Sequence, residues 1–299
     1  MESVVSGGPG LVAVGWAALG RDIDAAVWTS RDGTSWTRVP HDEAVLGGAG
    51  GRAMSSVAAG TSGLVAVGWD ASGGDQDAAV WTSPDAISWS RVSHDEAVFG
   101  GAGAQWIFNL TAGGPGLVAV GWDVSGGDAD AAVWTSPDGI SWTRVSHDEA
   151  VFGGAGDQEM LSVIAGGPGL VAVGWDSSGG DQDAAVWTSS DGVSWSRVSQ
   201  DEAVLGGESD QEMVSVIVDG PGLVAVGWDT SGGDQDAAVW SSEDGISWSR
   251  VSHDEAVLGG DGDQWMLSVT AGGPGLVAVG SDTSGEDSDA AVWVPAEED

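Results

Sequence analysis

The sequence predicts an all-β protein, a six-bladed β-propeller with four antiparallel strands in each blade and three in the last. The hexapeptide GLVAVG occurs six times, always 53 residues apart, beginning at Gly10, Gly63, Gly116, Gly169, Gly222 and Gly275. Each repeat holds short strand-like runs separated by turn residues, and helical periodicity is absent. Repeats of this length are typical of propellers, because a single unit cannot bury its own apolar face and stacks on its neighbours.

The repeat at residues 160–199 shows the strands in order. Strand A reads MLSVIA and is turned by GGPG into strand B, LVAVGW. The loop DSSGGDQD leads to strand C, AAVWTS, and the turn SDGVS leads to strand D, WSRV. Equivalent segments predict a single domain, 1–299, with blades at approximately 2–40, 54–93, 107–146, 160–199, 213–252 and 266–294.

The last repeat ends after strand C, so its blade is expected to have three strands. Its strand B ends in Ser281, whereas the other five end in tryptophan, at Trp16, Trp69, Trp122, Trp175 and Trp228. Because strand D and this tryptophan are lost together, we expect the strand-B tryptophan to pack against strand D of its own blade.

The composition of the chain excludes some classes of binding partner. The chain has 46 acidic residues against 8 basic ones, all arginine, for a net charge of −38. Nucleic acid and anionic membrane surfaces are therefore not expected as partners. The absence of cysteine excludes disulfides and cysteine-ligated metals.

Targeting signals are not expected in this chain. No apolar run is long enough to span a membrane, and the N-terminal MESVVSGG lacks the basic start and apolar region of a signal peptide. A leader removed from a longer, secreted parent is compatible with this pattern, so the compartment is left open.

The turn between strands C and D carries a second repeated motif, which reads TSPDGISW at Thr135–Trp142. It resembles the Asp box, S-x-D-x-G-x-T-W, of sialidase-like BNR-repeat propellers, in a form one residue shorter between Asp and Gly. The box aspartates are Asp32, Asp85, Asp138, Asp191 and Asp244, and the box tryptophans are Trp36, Trp89, Trp142, Trp195 and Trp248. We expect the carboxylates to accept backbone N–H groups within the turn and the tryptophans to pack beneath it.

The resemblance implies a fold and does not extend to the sialidase active site. That family is known for three arginines on the substrate carboxylate, a Tyr nucleophile with a Glu partner, and an Asp acid/base. This chain has no tyrosine, and five of its arginines occupy one strand-D position in successive repeats: Arg38, Arg91, Arg144, Arg197 and Arg250. We therefore expect no enzymatic activity.

Most acidic residues fall in the B–C and D–A loops, which predicts an acidic binding face. The B–C loop, D-x-S-G-G-D-Q-D, carries carboxylate, hydroxyl and carbonyl oxygens, which are donors that Ca²⁺ prefers. The candidate ligands are Asp70, Asp75, Asp77, Asp123, Asp128, Asp130, Asp176, Asp181, Asp183, Asp229, Asp234 and Asp236. The favoured alternative is a solvated loop that maintains solubility, and no cofactor is certain.

The D–A loop begins HDEAV(L/F)GG, with His41, His94, His147 and His253, while Gln200 takes this place in the fourth repeat. A His-Asp-Glu run suggests a metal or acid–base site. Because neighbouring loop residues are expected to point in different directions, we favour structural or solvated histidines. The apolar residues that follow are expected to form a plug between blades.

Two tryptophans, Trp106 and Trp265, fall where Glu159 and Glu212 stand in other repeats, in what the pattern predicts as D–A loops. They are the candidate ligand-binding aromatics, because exposed tryptophan stacks on sugars. The sequence thus predicts a non-catalytic binding or scaffolding propeller with a glycan or a basic protein surface as partner and Ca²⁺ as the candidate cofactor. The alternatives are a multivalent lectin with sites between blades and, less favoured, a degenerate sialidase-like glycosidase.

Overall fold

A computed structural model describes residues 1–8, 10–19, 22–167, 169–272, 275–285 and 287–295. It confirms the predicted all-β, six-bladed propeller fold, with four antiparallel strands in each blade and three in the last. The chain divides into two compact units, residues 1–148 and 149–299, which contain three blades each. No helix among the described residues is long and apolar enough to cross a bilayer.

In the first unit, three sheets keep their strands in chain order. The strands are β1 Ser3–Gly7, β2 Gly10–Leu19, β3 Asp22–Ser30, β4 Trp36–Arg38, β5 Arg52–Gly60, β6 Gly63–Asp70, β7 Asp77–Ser83, β8 Ser90–Arg91, β9 Gln105–Gly113, β10 Gly116–Asp123, β11 Asp130–Ser136 and β12 Thr143–Arg144. They form blades 1 to 3.

The second unit repeats this arrangement in blades 4 to 6, and its last sheet has three strands. The strands are β13 Gln158–Gly166, β14 Gly169–Asp176, β15 Asp183–Ser189, β16 Trp195–Arg197, β17 Gln211–Asp219, β18 Gly222–Asp229, β19 Asp236–Ser242, β20 Trp248–Arg250, β21 Gln264–Gly272, β22 Gly275–Asp282 and β23 Asp289–Trp293. In every blade, the B–C and D–A loops lie at one end of the sheet, here called the loop end. The A–B and C–D turns lie at the other, the turn end.

Strand B is the apolar centre of each sheet. In blade 3, Leu117 to Val120 of β10 are buried, as expected for a continuous apolar run covered on both faces. The register between β10 and β9 shifts between Val120 and Gly121. A Cβ atom on Gly121 would lie 1.8 Å from the carbonyl oxygen of Trp106, so only glycine fits beside this irregularity.

Strand A begins two residues before the predicted blade starts. Gln105 opens β9 with its side chain fully buried, and its Nε2 donates a 2.9 Å hydrogen bond to Asp123 at the end of β10. Trp106 and Trp265 therefore lie on strands β9 and β21, and the prediction that they lie in loops is wrong. The sequence pattern does not reveal this strand start, because glutamine is typical of loops. Gln105 is recognised as a strand residue only from its hydrogen bond to Asp123 on the next strand.

The expected contact between the strand-B tryptophan and strand D is also wrong. Trp16 remains 45% exposed although its blade has a strand D. Trp122 instead lies opposite Trp106 of strand A, and their rings stack 5.6 Å apart. Strand D, β12, pairs with strand C further along, at Trp134 and Thr135.

The apolar segment of the D–A loop joins adjacent blades, as the sequence predicts. Between blades 2 and 3, Phe99 is buried and its carbonyl oxygen accepts a 2.9 Å hydrogen bond from the amide of Ala78. The carbonyl oxygen of Val98 accepts a 2.6 Å bond from the indole of Trp134 in the next blade. These contacts fix the start of the D–A loop against strand C.

Candidate functional site

At the turn end of each complete blade, the box aspartate is occupied by local donors. Asp138 Oδ1 accepts hydrogen bonds from the amides of Ile140 and Ser141 at 2.8 and 2.7 Å. These backbone hydrogen bonds hold the pKa of Asp138 below its ordinary value. The indole of Trp142 donates to the Gly139 carbonyl at 3.0 Å. Similar backbone hydrogen bonds recur at Asp32, Asp85, Asp191 and Asp244.

At the loop end, the first B–C carboxylate is held by strand D. Asp123 forms an ion pair with Arg144 and accepts the amide of Ser125 at 2.9 Å. Arg144 also lies over the ring of Trp134, 5.6 Å from its centroid, a cation–π contact. The equivalent pairs in other blades are Asp70–Arg91, Asp176–Arg197 and Asp229–Arg250.

The first and third carboxylates of a B–C loop occupy paired positions on strands B and C, as Asp229 and Asp236 do in blade 5. The first is paired with arginine, and the third begins strand C and faces the D–A loop. The second lies between them; in blade 5, Asp234 accepts the amide of Gly262 at 3.2 Å. The aspartates at this second position are Asp75, Asp128, Asp181 and Asp234. The first carboxylate is thus already engaged by arginine, and a Ca²⁺ site at this loop stays a prediction.

A different cluster forms where the third aspartate meets the histidine of the D–A loop. In blade 5, His253 Nε2 lies 3.1 Å from Glu255 Oε2 and 3.9 Å from Asp236 Oδ2. The expectation that neighbouring loop residues diverge is wrong for this pair. Asp254 lies between them in a tight turn, and its carbonyl oxygen accepts the amide of Leu258 at 2.7 Å. The turn places His253 and Glu255 on one side.

Blades 1, 2 and 3 repeat this cluster. In the first, His41 Nε2 lies 3.0 Å from Glu43 Oε2 and 3.8 Å from Asp24 Oδ2. In the second, the corresponding distances are 3.1 and 3.8 Å, for His94 with Glu96 and Asp77. In the third, His147 Nε2 lies 3.9 Å from Asp130 Oδ2.

The blade 5 cluster has a buried floor and an open mouth. Asp236 is 2% exposed, and its Oδ1 has no hydrogen-bond donor. The side chains of His253 and Glu255 are 33% and 74% exposed. A Cβ atom on Gly259 would lie 3.0 Å from Asp236 Oδ1 and 3.1 Å from Glu255 Oε2. Any larger residue at position 259 would therefore fill the space between the carboxylates.

Blade 4 has the same space without the imidazole. Asp183 is buried, and its Oδ1 also has no donor. Gln200 replaces the histidine and donates to the Leu205 carbonyl at 3.3 Å. Burial, followed by the negative charges of Asp181 and Glu202, raises the pKa of Asp183 to about 6. Burial also raises the pKa of Asp236 in blade 5, where the charge of His253 opposes the shift.

The candidate aromatic Trp106 is packed on both faces. Its ring stacks between Trp69, at 5.4 Å, and Trp122, at 5.6 Å. Its indole donates a 3.1 Å hydrogen bond to Gln76 of the preceding blade. This ring has no free face to offer a sugar.

In three blades, the residue at position 106 or its equivalent hydrogen-bonds to the glutamine of the preceding B–C loop. Trp265 donates to Gln235 at 2.6 Å, whereas Gln182 donates to Glu212 at 2.6 Å. An amide can accept from an indole or donate to a carboxylate, so one glutamine supports either residue. Burial raises the pKa of Glu212 to about 7, and burial with the charge of Glu212 does the same for Glu159.

A cleft between blades 2 and 3 lies at the turn end. Its lining consists of small and aliphatic residues with one box aspartate: Ala59, Gly60, Thr61, Ala112, Gly116, Leu117, Pro137 and Asp138. No aromatic side chain contributes to it.

Comparison with known proteins supports the fold. No family model matches the chain, and no curated protein matches it significantly. Among solved structures it is similar to YjhT, with 11% identity over 98% of this chain and 96% of that chain, and a TM-score of 0.52. At this identity the likeness shows the fold alone.

Glycoside-hydrolase structures also occur among the neighbours. A putative glycoside hydrolase from Parabacteroides distasonis is 12% identical over 98% of this chain and 92% of that chain, with a TM-score of 0.41. Zg3597, a family 117 glycoside hydrolase from the marine bacterium Zobellia galactanivorans, is 12% identical over 59% of this chain, with a TM-score of 0.39. The match spans 55% of Zg3597, about half its length.

Proposed function

We propose that the chain is a non-catalytic, multivalent binding propeller of the Asp-box type, whose loop ends bind a positively charged protein surface. The observation that carries this proposal is the repetition of its charged groups from blade to blade. A catalytic site needs unlike groups that converge on one substrate. Repeated equivalent groups instead suit a ligand that contacts several blades at once.

The two ends of the blades differ in the charge that they leave available. At the turn end, the box aspartates are engaged by backbone amides. At the loop end, carboxylates such as Asp75, Asp128 and Glu208 are exposed. Together with a net charge of −38, this distribution favours a cationic partner and steers it toward the loops.

A glycan is less well supported than a basic protein surface. Sugar sites in lectins use exposed aromatic rings as stacking platforms. Both faces of Trp106 are covered, and the cleft between blades 2 and 3 has no aromatic residue in its lining. We therefore assign the loop ends, and not the inter-blade cleft, as the binding surface.

Two matched charge variants test this proposal with a decalysine peptide as the probe, in EDTA. The variant Asp181→Asn/Glu208→Gln removes two charges at the loop end, and Asp219→Asn/Glu243→Gln removes two exposed charges at the turn end. The first should weaken binding several-fold more than the second, measured by calorimetry at 50 and 150 mM salt. Equal weakening by both variants would show that only net charge matters and would overturn the assignment.

A further inference from the structure

We propose that the Asp-His-Glu cluster of the D–A loop binds a divalent transition-metal ion of the zinc class. The site is complete in blades 1, 2, 3 and 5, and blade 4 lacks it. This inference goes beyond the proposed function, which requires no metal.

The donor set fits this class of ion. Each cluster offers one imidazole nitrogen and two carboxylate oxygens that lie within 4.8 Å of one another. Zinc binds such nitrogen and oxygen donors, and three protein ligands with an open fourth position are common. Two ligands placed about 2.1 Å from an ion at tetrahedral angles are about 3.4 Å apart. The observed distances from Nε2 to the carboxylate oxygens, 3.0 to 3.9 Å, bracket this value.

Calcium fits the cluster less well. It takes six to eight oxygen ligands, whereas imidazole is a ligand for zinc, copper, iron and nickel. The cluster also has an entry path, because His253 and Glu255 are exposed at its mouth while Asp236 is buried at its floor.

A second observation points to a ligand. Asp236 is 2% exposed and therefore 98% buried, yet its Oδ1 has no hydrogen-bond donor. A buried carboxylate oxygen without a partner is costly, and a bound cation would remove that cost. Gly259 keeps the space beside this oxygen open, although its backbone does not have the positive φ that would itself require glycine.

A simple His–Glu ion pair explains only part of this arrangement. It accounts for the 3.1 Å contact between His253 and Glu255. It leaves the unpartnered Asp236 Oδ1 and the open space at Gly259 unexplained. Metal coordination accounts for these features together in blade 5, whereas blade 4 keeps the unpartnered oxygen and the open space and lacks the imidazole that completes the site.

Blade 4 provides an internal control. It keeps the buried Asp183, and a Cβ atom on Gly206 would lie 2.9 Å from Asp183 Oδ1. It lacks the imidazole, because Gln200 stands in place of the histidine and donates to a backbone carbonyl. Exchanging these residues between blades should therefore move a metal site.

The test is calorimetric titration of Zn²⁺ alone into chelator-treated protein, with millimolar Mg²⁺ present to occupy diffuse acidic charge. Relative to wild type, His253→Gln should lower the number of saturable zinc sites by one, and Gln200→His should raise it by one. Both substitutions introduce a residue that the same position carries in another blade, so both variants should fold, which circular dichroism checks. Unchanged stoichiometry in both variants would overturn the proposal.

A second pair of variants keeps every ligand in place. Gly259→Ala fills the space between the carboxylates and should remove one zinc site, whereas Gly206→Ala should remove none. Zinc binding that is insensitive to Gly259→Ala, or that Mg²⁺ abolishes, would indicate counterion association and contradict the proposal. Because the decalysine experiment is performed in EDTA, failure of the metal site leaves its result unaffected.

Discussion

Two aspartates at opposite ends of one strand in blade 5 show how differently the same side chain is used. Asp244, just after β19, accepts the amides of Ile246 and Ser247 at 2.8 and 2.6 Å, and these bonds lower its pKa. Asp236, the first residue of β19, is buried with one oxygen unpartnered, and burial raises its pKa. The two aspartates differ in whether backbone N–H groups are placed to donate hydrogen bonds to the carboxylate. A carboxylate with backbone donors stabilises the fold, and one without them is left for a ligand.

The same division holds for the other carboxylates whose pKa values shift. The box aspartates have lowered pKa values because backbone amides donate to them. The carboxylates with raised values all lie at the loop end, where burial dominates: Asp77, Glu159, Asp183, Glu212 and Asp236. Asp70 and Asp282 also lie there, but their pKa values are lowered: at Asp70, burial is outweighed by Ser72, Arg52 and Arg91, and at Asp282 the backbone amide of Ser284 donates to the carboxylate.

The largest expected effect concerns pH and the partly buried carboxylates Glu159 and Glu212. Burial raises both pKa values from 4.5 to about 7, so the folded state binds these protons more tightly than the unfolded state. The free energy of unfolding should therefore fall as pH rises from about 4.5 to about 7, by up to about 3 kcal/mol for each carboxylate. The variant Glu159→Gln/Glu212→Gln should lose this part of the decline in melting temperature between pH 5 and pH 8.

The double variant Glu208→Gln/Glu243→Gln is the control for that pH series. It removes the same amount of charge from two exposed positions and leaves Glu159 and Glu212 unchanged. It should keep the wild-type slope. If all three proteins lose stability equally with pH, overall charge repulsion and not these two residues is responsible.

A smaller effect is expected at the turn end, from Asp138→Ala. The substitution removes the acceptor of two backbone amides, so those amides lose their partner in the turn. The melting temperature should fall by a few degrees, while zinc stoichiometry stays at the wild-type value. Asp128→Ala, at the tip of the B–C loop of the same blade, should leave the melting temperature unchanged. An equal fall in both variants would remove the distinction between the two ends.

The smallest effect on stability is expected from Asp236→Asn. In the metal-free protein, the amide replaces a buried carboxylate whose Oδ1 has no donor, so the melting temperature should not fall. The matched variant Asp244→Asn, at the turn end of the same strand, should melt at a lower temperature. A large loss of stability in Asp236→Asn would mean that this aspartate holds the fold, contrary to the comparison.

The regular period made the blades, the strand order and the short last blade predictable. The start of strand A was not predictable, because Gln105 donates its side-chain hydrogen bond to Asp123, which is eighteen residues away in the sequence. The spacing of the box motif identified the turn aspartates because their donors are two and three residues away.

The Asp-His-Glu cluster was missed for a similar reason. The tight turn around Asp254 directs the side chains of His253 and Glu255 to the same side of the loop. This backbone conformation cannot be inferred from three consecutive residues of the sequence. A signal was nonetheless present: Asp236 and His253 are 17 residues apart (253 − 236), and the same spacing separates Asp24 from His41 (41 − 24). A constant spacing between an aspartate and a histidine indicates that the two are placed by the same local structure in each repeat.

The most direct test of this account is a crystal structure of the zinc-loaded protein with anomalous diffraction data at the zinc absorption edge. The account predicts anomalous peaks between Asp236, His253 and Glu255 and at the equivalent clusters of blades 1, 2 and 3. It predicts no peak beside Asp183 and Gln200 in blade 4. Peaks confined to the tips of the B–C loops, or equal occupancy in blades 4 and 5, would contradict it.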